Sequence, residues 1–451
     1  MTGIGRQREF AGMTGSCLRP RRWSAKTCHA RRDRAGDRQC LKAAPEQFRL
    51  IASDGSAVKD SLSLQLEQHQ HQQARESPKR PSRLIDYGCQ MTQPAVLIEV
   101  LPAAYGDSLL VTCNSATGPW SLLVDTGTDE CWPSLKARLA ALPLDPTGRR
   151  HIDLAVITHI DHDHIGAAGA LFSDTSLKLT FGDVWFNAPT MPALRGVAEG
   201  QSLAKLLGAS KVSLPWNKAW GGRHAVTPAD ADFIELPHTP DAPRIALLSP
   251  TPATLETLFK VWDVEMRKMR ERGAPEPEPA AARGALDLEA LASKLTPVDR
   301  APANGSSIAF LLEHRGVSLL LGADMHSTVA VPALKALAAH RGLALPLQVD
   351  AFKVSHHGSR ANVSNDLLQT VQARHYLVST NGAIFGHPND EAIARLIVHG
   401  GAHRTIWFNY RTEHTTKWGA EGLQRRHGYS TKYPEAPAGG VAVSLEGRSA
   451  R

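Results

Sequence analysis

The chain has 451 residues, 42% of them apolar, which is enough for one large globular domain or two ordinary ones. No run approaches the ~18 apolar residues that a membrane helix needs, so no segment reads as a span. The formal net charge of +7 suggests a nucleic-acid binder only until it is located. Residues 1–90 hold 17 of the 51 Lys+Arg and 9 of the 44 Asp+Glu, leaving 34 against 35, so the remaining chain is neutral.

Residues 1–90 are rich in Arg, Gln, Ser and His, with a Gln/His tract at Gln68–Gln73 and no sustained periodicity. Such a composition buries too little apolar area to offset chain entropy. The segment is expected to be a disordered leader or an over-extended start, with Met91 opening the functional protein. It carries no secretion signal, and a cytoplasmic location is expected. Four of the six cysteines (Cys17, Cys28, Cys40 and Cys89) lie there, without the close pairing of a zinc finger.

From Met91 the texture changes. Ala95–Leu101, Leu109–Cys113 and Ser121–Val124 read as strands, separated by turns at Gly106-Asp107-Ser108 and Thr117-Gly118-Pro119. Asp125-Thr126-Gly127 follows, then a helix over Trp132–Leu142. Ile152–Ile157 is the next strand and Ile165–Phe172 the next helix. Between strand and helix, six residues deliver His159, Asp161, His162, Asp163 and His164. Burying five such groups unpaired costs several kcal/mol. On a loop at a strand's end they can share metal ions, and imidazole with carboxylate suits zinc, manganese or iron better than calcium.

Further on, Val184–Asn187, Ile234–Leu236 and Ile245–Leu248 read as strands, and Gln201–Leu207 as a short helix. Thr251–Arg272 has the spacing of an amphipathic helix with Leu255, Leu258, Phe259 and Trp262 on one face. Gly273–Pro279 is a linker by composition and Leu286–Leu295 a second short helix. Together 255–298 reads as an insertion on one face of the domain. Ser307–Leu312 and Val317–Leu321 then form a hairpin ending at Asp324. Val329–Leu337 is helical, and the strand Val349–Val354 ends in Ser355-His356-His357-Gly358-Ser359. A helix over Leu367–Gln372, a strand over Tyr376–Ser379, His387-Pro388 and a helix over Glu391–His399 complete the pattern. Ile406–Tyr410 is a last strand, and 435–451 is expected to be a C-terminal tail.

The stretch Thr158-His159-Ile160-Asp161-His162-Asp163-His164-Ile165-Gly166 resembles the metal signature of the metallo-β-lactamase fold superfamily, usually His-x-His-x-Asp-His. Here Asp161 stands where the second His usually does. That variant is similar to the hydrolase domain of ComEC-type DNA-uptake proteins and their free-standing relatives. Gly106-Asp107-Ser108, Asn304-Gly305-Ser306-Ser307 and His387-Pro388 resemble elements of the same branch. The resemblance covers Met91 to about Tyr433. It implies an α/β (α+β) fold, a four-layer αββα sandwich occupying 91–434, and two divalent metal ions, zinc or manganese.

By the same resemblance, Asp163, His164 and His357 belong to a firm metal site, His159 and Asp161 to a weaker oxygen-rich one, and Asp324 bridges them. Asp125 is a structural acid. His387 and His356 are candidates to protonate the leaving oxygen or to steady a phosphate oxygen, either role needing a near-neutral pKa, with Asp163 and Asp324 acting beside them. Asn304, Ser306 and Ser359 are candidate hydrogen-bond donors to substrate. One ligand histidine of the superfamily has no counterpart: between the first cluster and Asp324 lie only His224, His238 and His314, none in a convincing context. The implied activity is phosphodiester hydrolysis, on short or single-stranded nucleic acid or a nucleotide. Hydrolysis of a small ester, thioester or lactone, or metal binding without turnover, are the alternatives, because fold alone does not choose.

Overall fold

The computed structural model of the protein describes residues 93–189, 214–239, 242–271 and 286–448. The expected leader, the Gln201–Leu207 helix and the Gly273–Pro279 linker lie outside them. Fourteen described strands make two sheets. In chain order, β1 (Val96–Val100), β2 (Leu109–Ser115), β3 (Gly118–Val124), β4 (Arg150–Val156) and β5 (Leu179–Trp185) lie in the first. The second takes β6 (Ile234–Glu235), β7 (Arg244–Ser249), β8 (Ala309–His314), β9 (Val317–Leu321), β10 (Leu347–Lys353), β11 (Val371–Val378), β12 (Thr405–Phe408) and β13 (Ser430–Lys432). β14 (Val441–Leu445) returns to the first sheet, whose order is β14-β1-β2-β3-β4-β5.

Period-two alternation decides the layering. Leu122 and Val124 of β3, with Leu154 and Val156 of β4, face an apolar layer that also receives Phe310 and Leu312 of β8 and Leu319 and Leu321 of β9. Their neighbours Leu123 and Ala155 point the other way, against Leu135, Leu139, Ala168 and Leu171 of the helices covering the first sheet. Leu311 and Leu320 likewise face Ala330, Leu334 and Leu337 of the helix behind the second sheet. Three apolar layers between helix, sheet, sheet and helix are the expected αββα sandwich. The central strands are buried on both faces, which is why they read as apolar runs.

Three expectations need correction. The 255–298 segment does not sit on one face. Leu258 and Trp262 of the Pro252–Glu271 helix join the core outside the first sheet, whereas Leu288 and Ala292 of the Leu288–Ser293 helix join the core outside the second. Both helices are integral because each buries its apolar stripe. The 435–451 tail likewise contributes β14, whose Val443 and Leu445 enter the inter-sheet core and which pairs antiparallel with β1. The expected helix over Ile165–Phe172 is two short ones, His162–Ile165 and Ala168–Ser173.

The topology collects loops at one edge. β3 runs parallel to β4, and β9, β10 and β11 are mutually parallel. The segments after their C-terminal ends therefore emerge together: Asp125, Thr158–His164, Ala323-Asp324, Ser355–Ser359 and Ser379–His387. If the Pro252–Glu271 helix is part of the core, Leu258→Ala should cost about 2–5 kcal/mol in urea unfolding. A loss within about 0.5 kcal/mol, typical of surface positions, would put that helix outside the cooperative fold.

Candidate metal centre

Short parallel strands aim the metal-type side chains inward, and Asp324 is the point on which they converge. Its carboxylate is 2% exposed. Its Oδ2 lies 3.3 Å from His164 Nε2, 3.7 Å from His357 Nε2, 3.8 Å from His159 Nε2 and 3.7 Å from His356 Nε2. Asp163 Oδ2 lies 3.2 Å from His357 Nε2 and 3.8 Å from His164 Nε2, and Asp161 Oδ2 3.7 Å from His159 Nε2. All six residues expected as metal ligands are thus gathered.

The orientation of three imidazoles is fixed from behind. Thr158 donates its hydroxyl proton to Asp125 Oδ2 at 2.8 Å and so accepts from His159 Nδ1 at 3.0 Å. His164 Nδ1 donates to Asp125 Oδ2 at 2.8 Å, and His357 Nδ1 to the Ser379 carbonyl at 2.9 Å. With Nδ1 protonated, each Nε2 is left as a lone pair, and those of His164 and His357 stand 3.2 Å apart. Two lone pairs at that distance repel unless a proton or cation lies between them. Buried Nε2 of His159 and Oδ1 of Asp324 have no hydrogen-bond partner. Orphaned nitrogen and oxygen donors, 3.2–3.8 Å from their neighbours, suit a divalent cation: the edge of a tetrahedron with ~2.1 Å bonds is about 3.4 Å. The residues fit the metal.

Asp107, His164, Asp324 and His357 bring possible ligand atoms within 4.8 Å of one another. Asp107, however, approaches from behind, 3.3 Å from His357 Nδ1 and 3.9 Å from His164 Nδ1, and pairs with the buried ammonium of Lys353. It positions the imidazoles rather than facing their Nε2 atoms. Burial alone would raise its pKa, but Lys353, His357 and His164 outweigh that and hold it at about 2. Burial would lower His357, yet Asp324 and Asp107 push it up to about 10. Asp163 is likewise held well below the carboxylate range, its burial outweighed by His164 and His357. The field at the centre is one that attracts cations.

Backbone conformation serves the same end. Gly106 precedes Asp107 where a Cβ would stand 1.8 Å from the Asp163 carbonyl oxygen, so only glycine lets the two loops touch. His356 (φ 48°, ψ 52°) and His357 (φ 54°, ψ 20°) are both left-handed. Such residues cost roughly 1–3 kcal/mol each and persist where surrounding structure imposes them.

Beside the centre is a cavity of about 570 Å³ lined by Asp161, Asp163, Asn304, Arg360, Phe385 and Asn389, together with His356, Ser359 and His387. One expectation about it fails. Ser306 is 2% exposed and its hydroxyl donates to the Ala303 carbonyl at 2.8 Å, closing the short Pro302–Gly305 helix instead of meeting substrate. His387 does line the cavity, but burial and then the charges of His356 and His357 push its pKa well below the imidazole range. A nearby cation would push it the same way. Asn304 borders the cavity, and its Nδ2 is turned toward Asp299 Oδ2 at 2.7 Å and His356 Nδ1 at 3.4 Å.

A separate cavity of about 430 Å³, bordered by Trp120, Trp185 and His238, lies elsewhere. His224 Nε2 bonds the Ala188 carbonyl and His314 Nε2 the Asn114 carbonyl. None of the three intervening histidines therefore joins the centre. Sequence reading also passed over Lys353, although a lysine in the strand Val349–Val354 calls for a buried partner. Asp299, which sits behind His356, carries no signal in its Pro-containing context.

The pattern of the Metallo-beta-lactamase superfamily matches residues 120–382, more than half the chain. The chain belongs to the metallo-beta-lactamase superfamily. Among solved structures it is similar to the metallo-beta-lactamase fold protein YhfI from Bacillus subtilis, at 11% identity and a TM-score of 0.33, over 77% of this chain and 99% of that one. No curated protein matches it. Members of this superfamily are mostly metal-dependent hydrolases, and the matched span includes the 158–166 loop, Asp324 and the 355–359 loop. Among the described residues, no helix is long and apolar enough to cross a membrane.

Asp125 holds two of the imidazoles at once, through Thr158 and directly. Asp125→Asn suits its left-handed backbone (φ 58°) but removes one acceptor oxygen. Calorimetric titration should then show metal affinity about 10–100-fold lower in a folded protein. Unchanged affinity would mean that the imidazoles are held by something else.

Proposed function

We propose that this superfamily member is a divalent-metal-dependent phosphodiesterase of the ComEC-like kind, acting on short or single-stranded nucleic acid or a nucleotide. The observation that carries it is the convergence on Asp324 of imidazole Nε2 and carboxylate Oδ atoms, beside a cavity that offers a cation, amides and an aromatic wall. In this reading Asp163, His164, His357 and Asp324 hold one cation, and His159, Asp161 and Asp324 face a second. The first donor set balances nitrogen and oxygen and suits zinc; the second is richer in oxygen and accepts manganese.

When bound, the cations supply Lewis acidity, acidifying water and neutralising charge that grows on phosphoryl oxygens. Two divalent cations against the carboxylates of Asp161, Asp163 and Asp324 leave roughly one net positive charge, matched to a phosphodiester monoanion. The chain's own groups then orient the substrate. Arg360, half-exposed and 4.0 Å from Glu391, can reach a phosphate oxygen. His387, neutral and with Nδ1 unpartnered, can donate one hydrogen bond to the same group. Asn304, Asn389 and Ser359 add neutral polar contacts. Phe385, edge-on to Tyr105 with ring centroids 5.8 Å apart, offers a face for a base or aryl group. The neutral balance beyond residue 90 implies affinity from the centre and not from a basic track, hence weak salt dependence.

The test is a substrate panel with manganese and separately with zinc: a chromogenic phosphodiester, short single-stranded DNA, a carboxylester, a lactone and a β-lactam. The phosphodiester and DNA should be cleaved, and Asp324→Asn should lower kcat/KM by roughly 10²–10³-fold or more. Cleavage of the ester or lactone alone, also lost in Asp324→Asn, would make the protein a small-molecule carboxyl hydrolase. Bound metal with no turnover on any substrate would make it a binding protein.

A further inference from the structure

The cavity of about 430 Å³ opens where β3, β4 and β5 of one sheet meet β7 of the other. It shares no lining residue with the cavity beside the metal centre. Trp120, on its wall, stands five residues before Asp125, about 16 Å along an extended strand. The two sites are separate.

Two indoles, Trp120 and Trp185, and two carboxylates, Asp153 and Asp183, line this cavity beside apolar Leu236 and Ile245. No lysine or arginine lines it. Trp185 is fixed in place. Its Nε1 donates to Asp183 Oδ2 at 2.9 Å, and Trp220 and Phe310 meet it edge-on with ring centroids 4.6 and 5.8 Å away. An aromatic wall already held in one orientation loses little freedom when a ligand arrives.

The two carboxylates differ in what is left to them. Asp183 is saturated: Oδ1 accepts from the Val184 and Lys218 amides at 2.8 Å, and Oδ2 from the Ala219 amide at 2.9 Å as well as from Trp185. Asp153 uses only Oδ2, which accepts from the Ser121 amide at 2.8 Å and the Ser121 hydroxyl at 3.0 Å. Its Oδ1 accepts no hydrogen bond among the described residues, and His151 Nε2 stands off at 3.7 Å.

An idle carboxylate oxygen beside two indoles, with no basic side chain to neutralise it, attracts a cation. A hard metal ion does not fit, because one free carboxylate oxygen falls far short of the roughly six oxygens it needs. A nucleotide does not fit either, since its phosphates would meet carboxylates and no basic group. A quaternary ammonium has no proton to give to Oδ1. An amine that keeps an N–H satisfies all of these conditions.

We propose that this cavity is a binding site for an aryl-alkyl ammonium, a protonated amine that donates to Asp153 Oδ1 and carries a flat apolar body flanked by Trp120 and Trp185. Asp183 is its positioning residue, fixing the Trp185 ring and adding negative charge. The site is independent of the metal centre and of the reaction proposed there.

The test is calorimetric titration of the full-length protein at neutral pH with 2-phenylethylammonium, its trimethylammonium analogue, 2-phenylethanol and phenylacetate. The primary ammonium should bind with one equivalent. The trimethylammonium and the alcohol should bind about tenfold or more weaker, and phenylacetate not at all. Asp153→Asn keeps the acceptor that anchors Ser121 and turns the idle oxygen into a donor, so it should weaken the primary ammonium by about tenfold or more. Trp120→Ala should weaken it by about threefold or more. Asp324→Asn, at the metal centre, should leave this affinity unchanged. Circular dichroism melts establish that each variant is folded, and if Asp153→Asn is not, Trp120→Ala and the probe series decide. Equal affinity for the ammonium and the alcohol would overturn the ionic assignment. Binding lost in Asp324→Asn but kept in Trp120→Ala would place the amine at the metal centre and overturn the site, as would no binding of the primary ammonium up to about 10 mM.

Discussion

Carboxylates and imidazole lone pairs cannot be packed together in a dry place without a positive charge among them, and the rest of this structure follows from that constraint. Asp324 is buried at the meeting point of two sheets, with four imidazole Nε2 atoms within 3.8 Å of one oxygen. Protonated histidines can satisfy that field in part. Divalent cations would satisfy it better, because they would also engage the orphaned His159 Nε2 and Asp324 Oδ1.

The scaffold around the centre prevents relaxation. Parallel strands deliver the loops to one edge, and a layer behind them holds each ring by its Nδ1: Asp125 and Thr158 on one side, the Ser379 carbonyl and Asn362 on the other. Asp107 and Lys353 form a buried ion pair beneath His164 and His357. Removing one partner of such a pair would leave an uncompensated charge, so the layer is locked by electrostatics as well as by packing. Fixed rings convert an acidic pocket into a site with a definite geometry.

Much of this was legible in the amino-acid order. His159, Asp161, Asp163 and His164 fall too close together to be core, whereas Asp324 and His357, at the ends of apolar strands, are marked as ligands only by the resemblance to the superfamily. The αββα layering follows from strands buried on both faces. Less legible were the contacts that only the fold creates. Asp107 looked like a turn residue, because its partner Lys353 is distant in sequence. Asp299 has no local pattern, since its role depends on His356 and Asn362 arriving beside it. Ser306 matched a motif yet is spent on closing a helical turn, and the charge state of His387 depends on burial and neighbours that periodicity does not encode. The 435–451 stretch reads as a tail in the sequence because five strand residues say little until β1 offers an unpaired edge.

The central claim is that Asp324 lies between two cations. Anomalous diffraction from crystals grown with manganese, and separately with zinc, tests it most directly. The account predicts two peaks flanking the Asp324 carboxylate, one toward His164, His357 and Asp163 and the other toward His159 and Asp161. A single peak between Asp107 and Lys353, or no peak at Asp324 in protein that retains its fold, would contradict it.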